Sequence, residues 1–110
     1  MSLADVDKTK LSPEDLVIFE KFEKATVDAK KLPPNVSQDD QLSLYGLFKQ
    51  ALAGKNTTAR PGMLDFKGKA KYDAWLKNGD MTKQDAQQKY ADLVVALDEK
   101  YAKPTATIAE

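Results

Sequence analysis

The chain contains neither cysteine nor histidine. Without cysteine there can be no disulfide, no thiolate metal site and no thiol catalysis. Without histidine the most common general base and metal ligand is missing, and so are the Ser-His and Cys-His nucleophile pairs. Any catalysis would depend on carboxylates or lysines alone. These absences disfavour an enzyme, and we expect no metal site and no cofactor, but an enzyme built on carboxylates or lysines stays open at this point.

Long apolar runs and an excess of one charge are absent as well. No stretch approaches the roughly 20 apolar residues that a membrane-spanning helix needs, so no stable membrane insertion is expected. The opening MSLADVDKTKL lacks the basic start and apolar run of a signal peptide, which favours a cytoplasmic location. Seventeen Lys and Arg balance seventeen Asp and Glu, so the chain has no global positive field for nucleic acid. We expect a single small domain and a monomer.

Helix start and stop signals divide the first half of the chain into two helices. Ser12 precedes a proline and two acidic residues, which is typical of an N-cap, and an apolar stripe at three- and four-residue spacing follows it as far as Pro33. Ser37 and Asp40 form the next capping signal. The helix after it has a broadly apolar surface and is expected to end at Gly54, in a central position.

The second half of the chain contains two more helices after a long loop. Asp65 is the expected cap of the third helix, which ends near Asn78. Thr82 and Asp85 begin the fourth helix, whose apolar positions continue for about five turns before Pro104. Since no strand-like alternation occurs, the sequence predicts an all-α fold.

The same signals set the expected domain boundaries. Residues 1–11 are polar and aperiodic, and they are predicted to be a flexible lead-in that contributes nothing to the core. The four-helix domain is predicted to span residues 12–103. Residues 104–110 are predicted to be a loose tail.

Two stretches combine lysines with aromatic residues. Lys71 and Trp75 are four residues apart, so they share a face of the third helix. Tyr45, Phe48 and Lys49 repeat the combination on the second helix at spacings of three and four. If the two faces meet, they suit an anionic and partly flat ligand that a lysine can neutralise and an aromatic ring can stack on.

Spacing alone leaves other interpretations open. An aromatic residue at helical spacing belongs to the core more often than to a binding site. A lysine on a helix is usually a solvated or snorkelling surface residue. The basic run from Lys67 to Lys71 fits a solvated face or a phosphate-binding patch for RNA equally well.

Two blocks of sequence resemble the acyl-CoA-binding protein family. The string YGLFKQALAG at residues 45–54 looks like the family signature, and ARPGMLDFKGKAKYDAW at residues 59–75 follows it at the expected distance. Weaker similarity extends the likeness to about residues 19–102. The resemblance implies a four-helix bundle with up-down-down-up topology. It also implies non-enzymatic binding, buffering and intracellular transport of long-chain fatty acyl-CoA thioesters.

The resemblance also carries over residue roles. Tyr45, Lys49 and Lys71 match the residues that hold the ribose 3′-phosphate, and Phe48 matches the aromatic residue that stacks on adenine. Trp75 matches a tryptophan that is as much structural as ligand-contacting. Lys30 matches a lysine near the phosphates, and Tyr90 matches a tyrosine that closes the nucleotide site. Phe22 and Thr26 match residues that line the acyl chain.

Three positions depart from the family pattern. Many members have tyrosine where this chain has Phe48, tryptophan where it has Tyr72 and proline where it has Val36. None of these changes removes a charge that faces phosphate.

Two alternatives to a carrier are also consistent with the sequence. One is a helical module that docks a partner helix or an acidic peptide. The other is an acyl-CoA hydrolase built on lysines or carboxylates, which lacks a recognisable nucleophile.

Overall fold

The computed structural model describes residues 3–101, which form four α-helices after two short 3-10 turns at Leu3–Asp5 and Lys8–Lys10. The helices are α1 at Pro13–Ala29, α2 at Gln38–Ala53, α3 at Phe66–Leu76 and α4 at Lys83–Lys100. The prediction of four helices and an all-α fold is confirmed over this range. The predicted tail at residues 104–110, with the last residues of the predicted domain, lies outside the described residues.

Each helix begins at the residue that the sequence predicts as its cap. The four caps are Ser12, Ser37, Asp65 and Thr82, and the side-chain oxygen of each accepts a hydrogen bond of 2.9 to 3.1 Å from the backbone N–H three residues later. These bonds satisfy donors that an uncapped helix would leave open. At the other end of α2, Gly54 has φ of 79°, a conformation that glycine adopts without strain.

Contacts between helices fix their directions. α2 and α4 are antiparallel, because Lys100 at the end of α4 pairs with Asp40 at the start of α2. α2 and α3 are parallel, since the first turns of both line one cavity and the last turn of α3 reaches Gly54. The connection between α1 and α2 lies at the end where α4 terminates, and Ser37 N–H donates to the Tyr101 hydroxyl there at 3.0 Å. The order is therefore up, down, down, up, as predicted.

The core lies between α1, α2 and α4. Phe19 and Phe22 of α1 are fully buried at its centre. The other buried members of this cluster are Ala25, Ala51, Leu52, Ala86, Tyr90 and Val94. α3 packs mainly against α2 and contributes a single buried residue, Trp75. Within residues 3–101, no helix has the length and apolar character to cross a membrane.

The described part of the lead-in packs onto this core, contrary to the sequence-based expectation. Leu3, Val6 and Leu11 are half-buried against the core cluster. Lys8 forms an ion pair of 2.7 Å with Glu23 of α1. The expectation was wrong because these apolar residues are spaced irregularly, and periodicity reveals only regular elements. The flexibility of the segment stays a prediction.

Candidate ligand-binding site

A close approach of α2 and α3 brings the two lysine-aromatic stretches together. Gly46 faces the backbone of Ala74, and a Cβ at position 46 would overlap the Ala74 carbonyl. At the next residue of α3, the Trp75 indole N–H donates to the Gly54 carbonyl at 2.8 Å. The glycine allows α2 and α3 to approach this closely, and the tryptophan bond joins them near the end of α2. We refer to the contact between residues 45–54 and residues 71–75 as the seam. The faces therefore meet, as the sequence analysis requires.

The seam pairs each lysine with an aromatic ring of the other helix. The Lys71 Nζ lies 5.4 Å from the centre of the Tyr45 ring, and the Lys49 Nζ lies 5.1 Å from the Trp75 ring. Both distances are within the range of a cation-π interaction. Lys71 and Trp75 are neighbours on α3, as predicted, but Trp75 turns toward α2 and is only 8% exposed. Trp75 therefore holds the seam together, while Lys71 stays exposed beside Tyr45.

A cavity of about 390 Å³ opens between the first turns of α2 and α3, and its walls are Gln38, Gln41, Leu42, Tyr45, Lys67, Ala70 and Lys71. Tyr45 and Lys71 are predicted site residues, whereas the other five are not. Three of these five, Gln41, Leu42 and Lys67, lie three or four positions before a predicted residue, on the same helix face. That spacing is the signal that could have identified them.

An aromatic cluster adjoins the seam on the other side of α2. The Phe48 ring centre lies 5.8 Å from that of Phe22 and 6.1 Å from that of Tyr90. Phe22 and Tyr90 meet edge to face at 5.2 Å. Burial raises the pKa of the Tyr90 phenol, because the charged form would lose its hydration there. Phe48 is only half-buried, and it is the member of the cluster that a ligand can reach.

The three predicted residues of α1 form one line at four-residue spacing. Phe22 is completely buried behind Phe48, and Thr26 is 8% exposed, with its hydroxyl donating to the Glu23 carbonyl at 2.6 Å. Lys30 is the exposed C-cap of the helix. The burial of Phe22 and Thr26 gives them a supporting position, whereas Lys30 keeps its ammonium group in solvent.

The loop before α3 is fastened to that helix by polar contacts. Arg60 donates two hydrogen bonds, of 2.8 and 3.2 Å, to the Asp73 carboxylate. This pairing raises the pKa of Arg60 and lowers the pKa of Asp73. The Tyr72 hydroxyl, at a position where a tryptophan would lack it, donates to the Thr58 carbonyl at 3.1 Å. The loop and α3 therefore form one structural unit.

The residues at the seam determine which kind of ligand it can bind. Lys49 and Lys71 provide two ammonium groups, and the Tyr45 hydroxyl provides a further donor. Phe48 offers the accessible part of an aromatic ring, and the cavity has Leu42 and Ala70 in its walls. This combination suits a ligand with an anionic group, a flat ring and an apolar portion.

Comparison with known proteins finds one family. A family model described as "Acyl CoA binding protein" matches residues 19–94. The acyl-CoA-binding protein homolog of Drosophila melanogaster is 46% identical over 86 residues, which are 78% of this chain and 100% of that relative. Acyl-CoA-binding protein homolog 1 of Caenorhabditis elegans is 48% identical over 80 residues, which are 73% of this chain and 93% of the relative.

A solved structure agrees with these relatives. The crystal structure of Oryza sativa acyl-CoA-binding protein 2 superposes with a TM-score of 0.74 at 41% sequence identity. The match covers 76% of this chain and 92% of the rice chain. The similarity therefore includes the arrangement of the helices as well as the sequence.

Proposed function

This chain belongs to the acyl-CoA-binding protein family, and we propose that it carries long-chain fatty acyl-CoA in the seam between α2 and α3. As a member of the family it binds, buffers and transports acyl-CoA without transforming it. The observation that carries the proposed site is the meeting of Tyr45, Lys49 and Lys71 across the seam, beside a cavity whose walls include Leu42 and Ala70.

The CoA head group occupies the cationic side of the seam. Lys49 and Lys71 neutralise the 3′-phosphate, and charge-assisted hydrogen bonds of this kind contribute roughly 1.5–3 kcal/mol each. The Tyr45 hydroxyl adds a donor. Phe48 stacks on adenine, a contact that contributes about 1–3 kcal/mol by analogy with bases stacked on aromatic side chains. Tyr90 supports the Phe48 ring from α4.

The acyl chain occupies the cavity between the first turns of α2 and α3. Leu42 and Ala70 supply apolar walls there. Each buried methylene contributes about 0.8 kcal/mol, so affinity increases with chain length until the cavity and the groove leading to it are filled. Phe22 supports the Phe48 ring from α1, and Thr26 lies one turn further along the same helix face. Lys30 offers a further positive charge to the phosphates from the end of α1.

The proposal includes a monomeric carrier in the cytoplasm that binds no nucleic acid. The zero net charge supports the last point, because binding to nucleic acid depends on neutralising many phosphates. Sedimentation equilibrium with and without ligand tests the oligomeric state.

Isothermal titration calorimetry with palmitoyl-CoA, palmitate and free CoA tests the function. We expect the thioester to bind far more tightly than either part, because only the thioester fills both the cationic seam and the cavity beside it. Equal affinity for all three ligands, or no binding of palmitoyl-CoA, would contradict the proposal. Recovery of intact thioester after a long incubation checks that the protein does not hydrolyse its ligand.

A further inference from the structure

Three large apolar side chains project into solvent at the start of α3. Met63 is 80% exposed, Leu64 is 83% exposed and Phe66 is 70% exposed. Single exposed apolar residues are common on protein surfaces, but three within four consecutive positions form a contiguous patch that calls for a partner. We refer to Met63, Leu64 and Phe66 as the apolar tip.

The structure holds the apolar tip outward through specific bonds. The Lys69 ammonium donates to the Met63 carbonyl at 2.8 Å and lies 5.1 Å from the centre of the Phe66 ring. Asp65 N–H donates to the Gly62 carbonyl at 3.0 Å, which closes a turn directly beneath the tip. The Arg60–Asp73 pair fastens the preceding residues to α3. These bonds therefore fix the backbone that carries the three side chains, and the side chains are exposed in the folded conformation.

Positive charge follows the apolar tip along α3 although the chain as a whole is neutral. Lys67, Lys69 and Lys71 lie within the five residues after Phe66. The acidic residues of this stretch are engaged, since Asp65 caps α3 through Gly68 N–H and Asp73 pairs with Arg60. An apolar tip within a cationic rim complements a surface that is negatively charged outside and apolar beneath.

We propose that the apolar tip inserts reversibly into the surface of an anionic lipid bilayer, with Lys67 and Lys69 at the level of the head groups. Phe66 precedes Ala70 by one helical turn, and Lys67 and Ala70 both line the ligand cavity. Docking through the tip therefore brings the cavity to the lipid surface, from which an acyl chain can pass into it. This inference goes beyond the proposed function, because the tip binds the bilayer with or without acyl-CoA.

Co-sedimentation with vesicles tests the proposal. The wild-type protein is expected to bind vesicles of phosphatidylcholine mixed with phosphatidylglycerol, to bind pure phosphatidylcholine much less, and to dissociate at high salt. The double variant Met63→Ser/Leu64→Ser removes most of the apolar area of the tip, and its binding is expected to fall at least about tenfold. Val17→Ser/Val95→Ser is the matched control, since these valines are also exposed but lie outside the tip, at 55% and 59%. It should bind vesicles like the wild type.

A depth measurement distinguishes insertion from simple charge attraction. The chain has no cysteine, so Gly62→Cys provides a unique thiol for a spin label, and a Cβ at position 62 has no heavy atom within 4 Å. On anionic vesicles the label should become accessible to oxygen dissolved in the lipid and protected from a water-soluble relaxation agent. A label that stays in the aqueous phase, or a tip variant that binds vesicles as tightly as the control, would overturn the proposal.

Acyl-CoA titrations in vesicle-free buffer separate this inference from the proposed function. The tip variant should bind palmitoyl-CoA with the wild-type affinity, because the tip does not line the cavity. Loss of vesicle binding together with unchanged palmitoyl-CoA affinity supports the inference. A wild-type protein that binds palmitoyl-CoA but no anionic vesicle refutes the inference and leaves the carrier function intact.

Discussion

Gly46 of α2 lies directly against the backbone carbonyl of Ala74 in α3. The lack of a side chain at position 46 sets the distance between the two helices, and this distance determines whether Lys71 reaches the Tyr45 ring and Lys49 the Trp75 ring. A residue with no functional group therefore controls the geometry of the candidate site.

The variant Gly46→Ala is expected to lose both stability and affinity. Alanine gains about 1 kcal/mol from its higher helix propensity. The overlap with a backbone carbonyl cannot be relieved by rotating a side chain, so we expect a net loss of about 1–2 kcal/mol in the free energy of unfolding. Urea denaturation measures this loss, and calorimetry with palmitoyl-CoA measures the weaker binding. Gly62→Ala is the control, because that position has open space and should tolerate alanine.

Neutralising either lysine of the seam is expected to weaken binding of palmitoyl-CoA. Loss of one charge-assisted contact of roughly 1.5–3 kcal/mol corresponds to an increase in Kd of about 10- to 150-fold for Lys49→Gln or Lys71→Gln. The helical circular dichroism should stay unchanged. Lys21→Gln on the exposed side of α1 serves as the matched control. Equal affinity of all three variants would remove both lysines from the site.

Weakening the lead-in is expected to destabilise the fold without affecting the ligand. Val6→Ser/Leu11→Ser takes two half-buried side chains out of their contact with the core. We expect the free energy of unfolding to fall by about 1–3 kcal/mol, measured by guanidinium denaturation. Palmitoyl-CoA affinity should stay constant below the transition. A fold as stable as that of the Lys10→Gln control would show that these contacts contribute little in solution.

Acidification is expected to weaken the polar contact between the start of α2 and the end of α4. Lys100 and Tyr101 donate hydrogen bonds of 2.9 and 2.8 Å to the Asp40 carboxylate, and these bonds lower the pKa of Asp40 below its ordinary value of 3.8. A lowered carboxyl pKa contributes stability that is complete above pH 3.8 and is lost as the pH falls through the folded-state value.

The variant Asp40→Asn measures this contribution. It should be less stable than the wild type at pH 7, and the difference between the two midpoints of urea denaturation should shrink as the pH falls below 3.8. Asp98→Asn, an exposed change on α4, should follow the wild-type curve. A difference between Asp40→Asn and the wild type that stays constant with pH would contradict this assignment.

The sequence predicts the helices well because their start signals are local. Ser12, Ser37, Asp65 and Thr82 each bond to a backbone N–H three residues away, so the evidence for each helix start lies within a single turn. The helix starts could therefore be predicted. The choice of Tyr45, Lys49 and Lys71 also depends on contiguous blocks of sequence, and their role as ligand-binding residues stays a prediction.

Contacts between elements carry no comparable local signal. From the sequence alone, Gly46 is a residue that lowers helix propensity. Its role in allowing the close approach of α3 becomes clear only from the position of Ala74. The partner of Lys71 is Tyr45 across the seam, which spacing on one helix cannot indicate. The packing of Val6 against the core depends in the same way on residues distant in sequence.

The dependence of α3 on one neighbouring helix has a consequence for amide hydrogen exchange. With α2 as its main packing partner and Trp75 as its single buried residue, α3 should open locally at a lower free energy than α1 or α4. A ligand held by both Tyr45 and Lys71 acts as a second wall for this helix. At a ligand concentration of about 100 times Kd, α3 amides should therefore exchange roughly 100-fold more slowly. Amide exchange measured by NMR with and without palmitoyl-CoA would show whether ligand binding stabilises α3 against local opening.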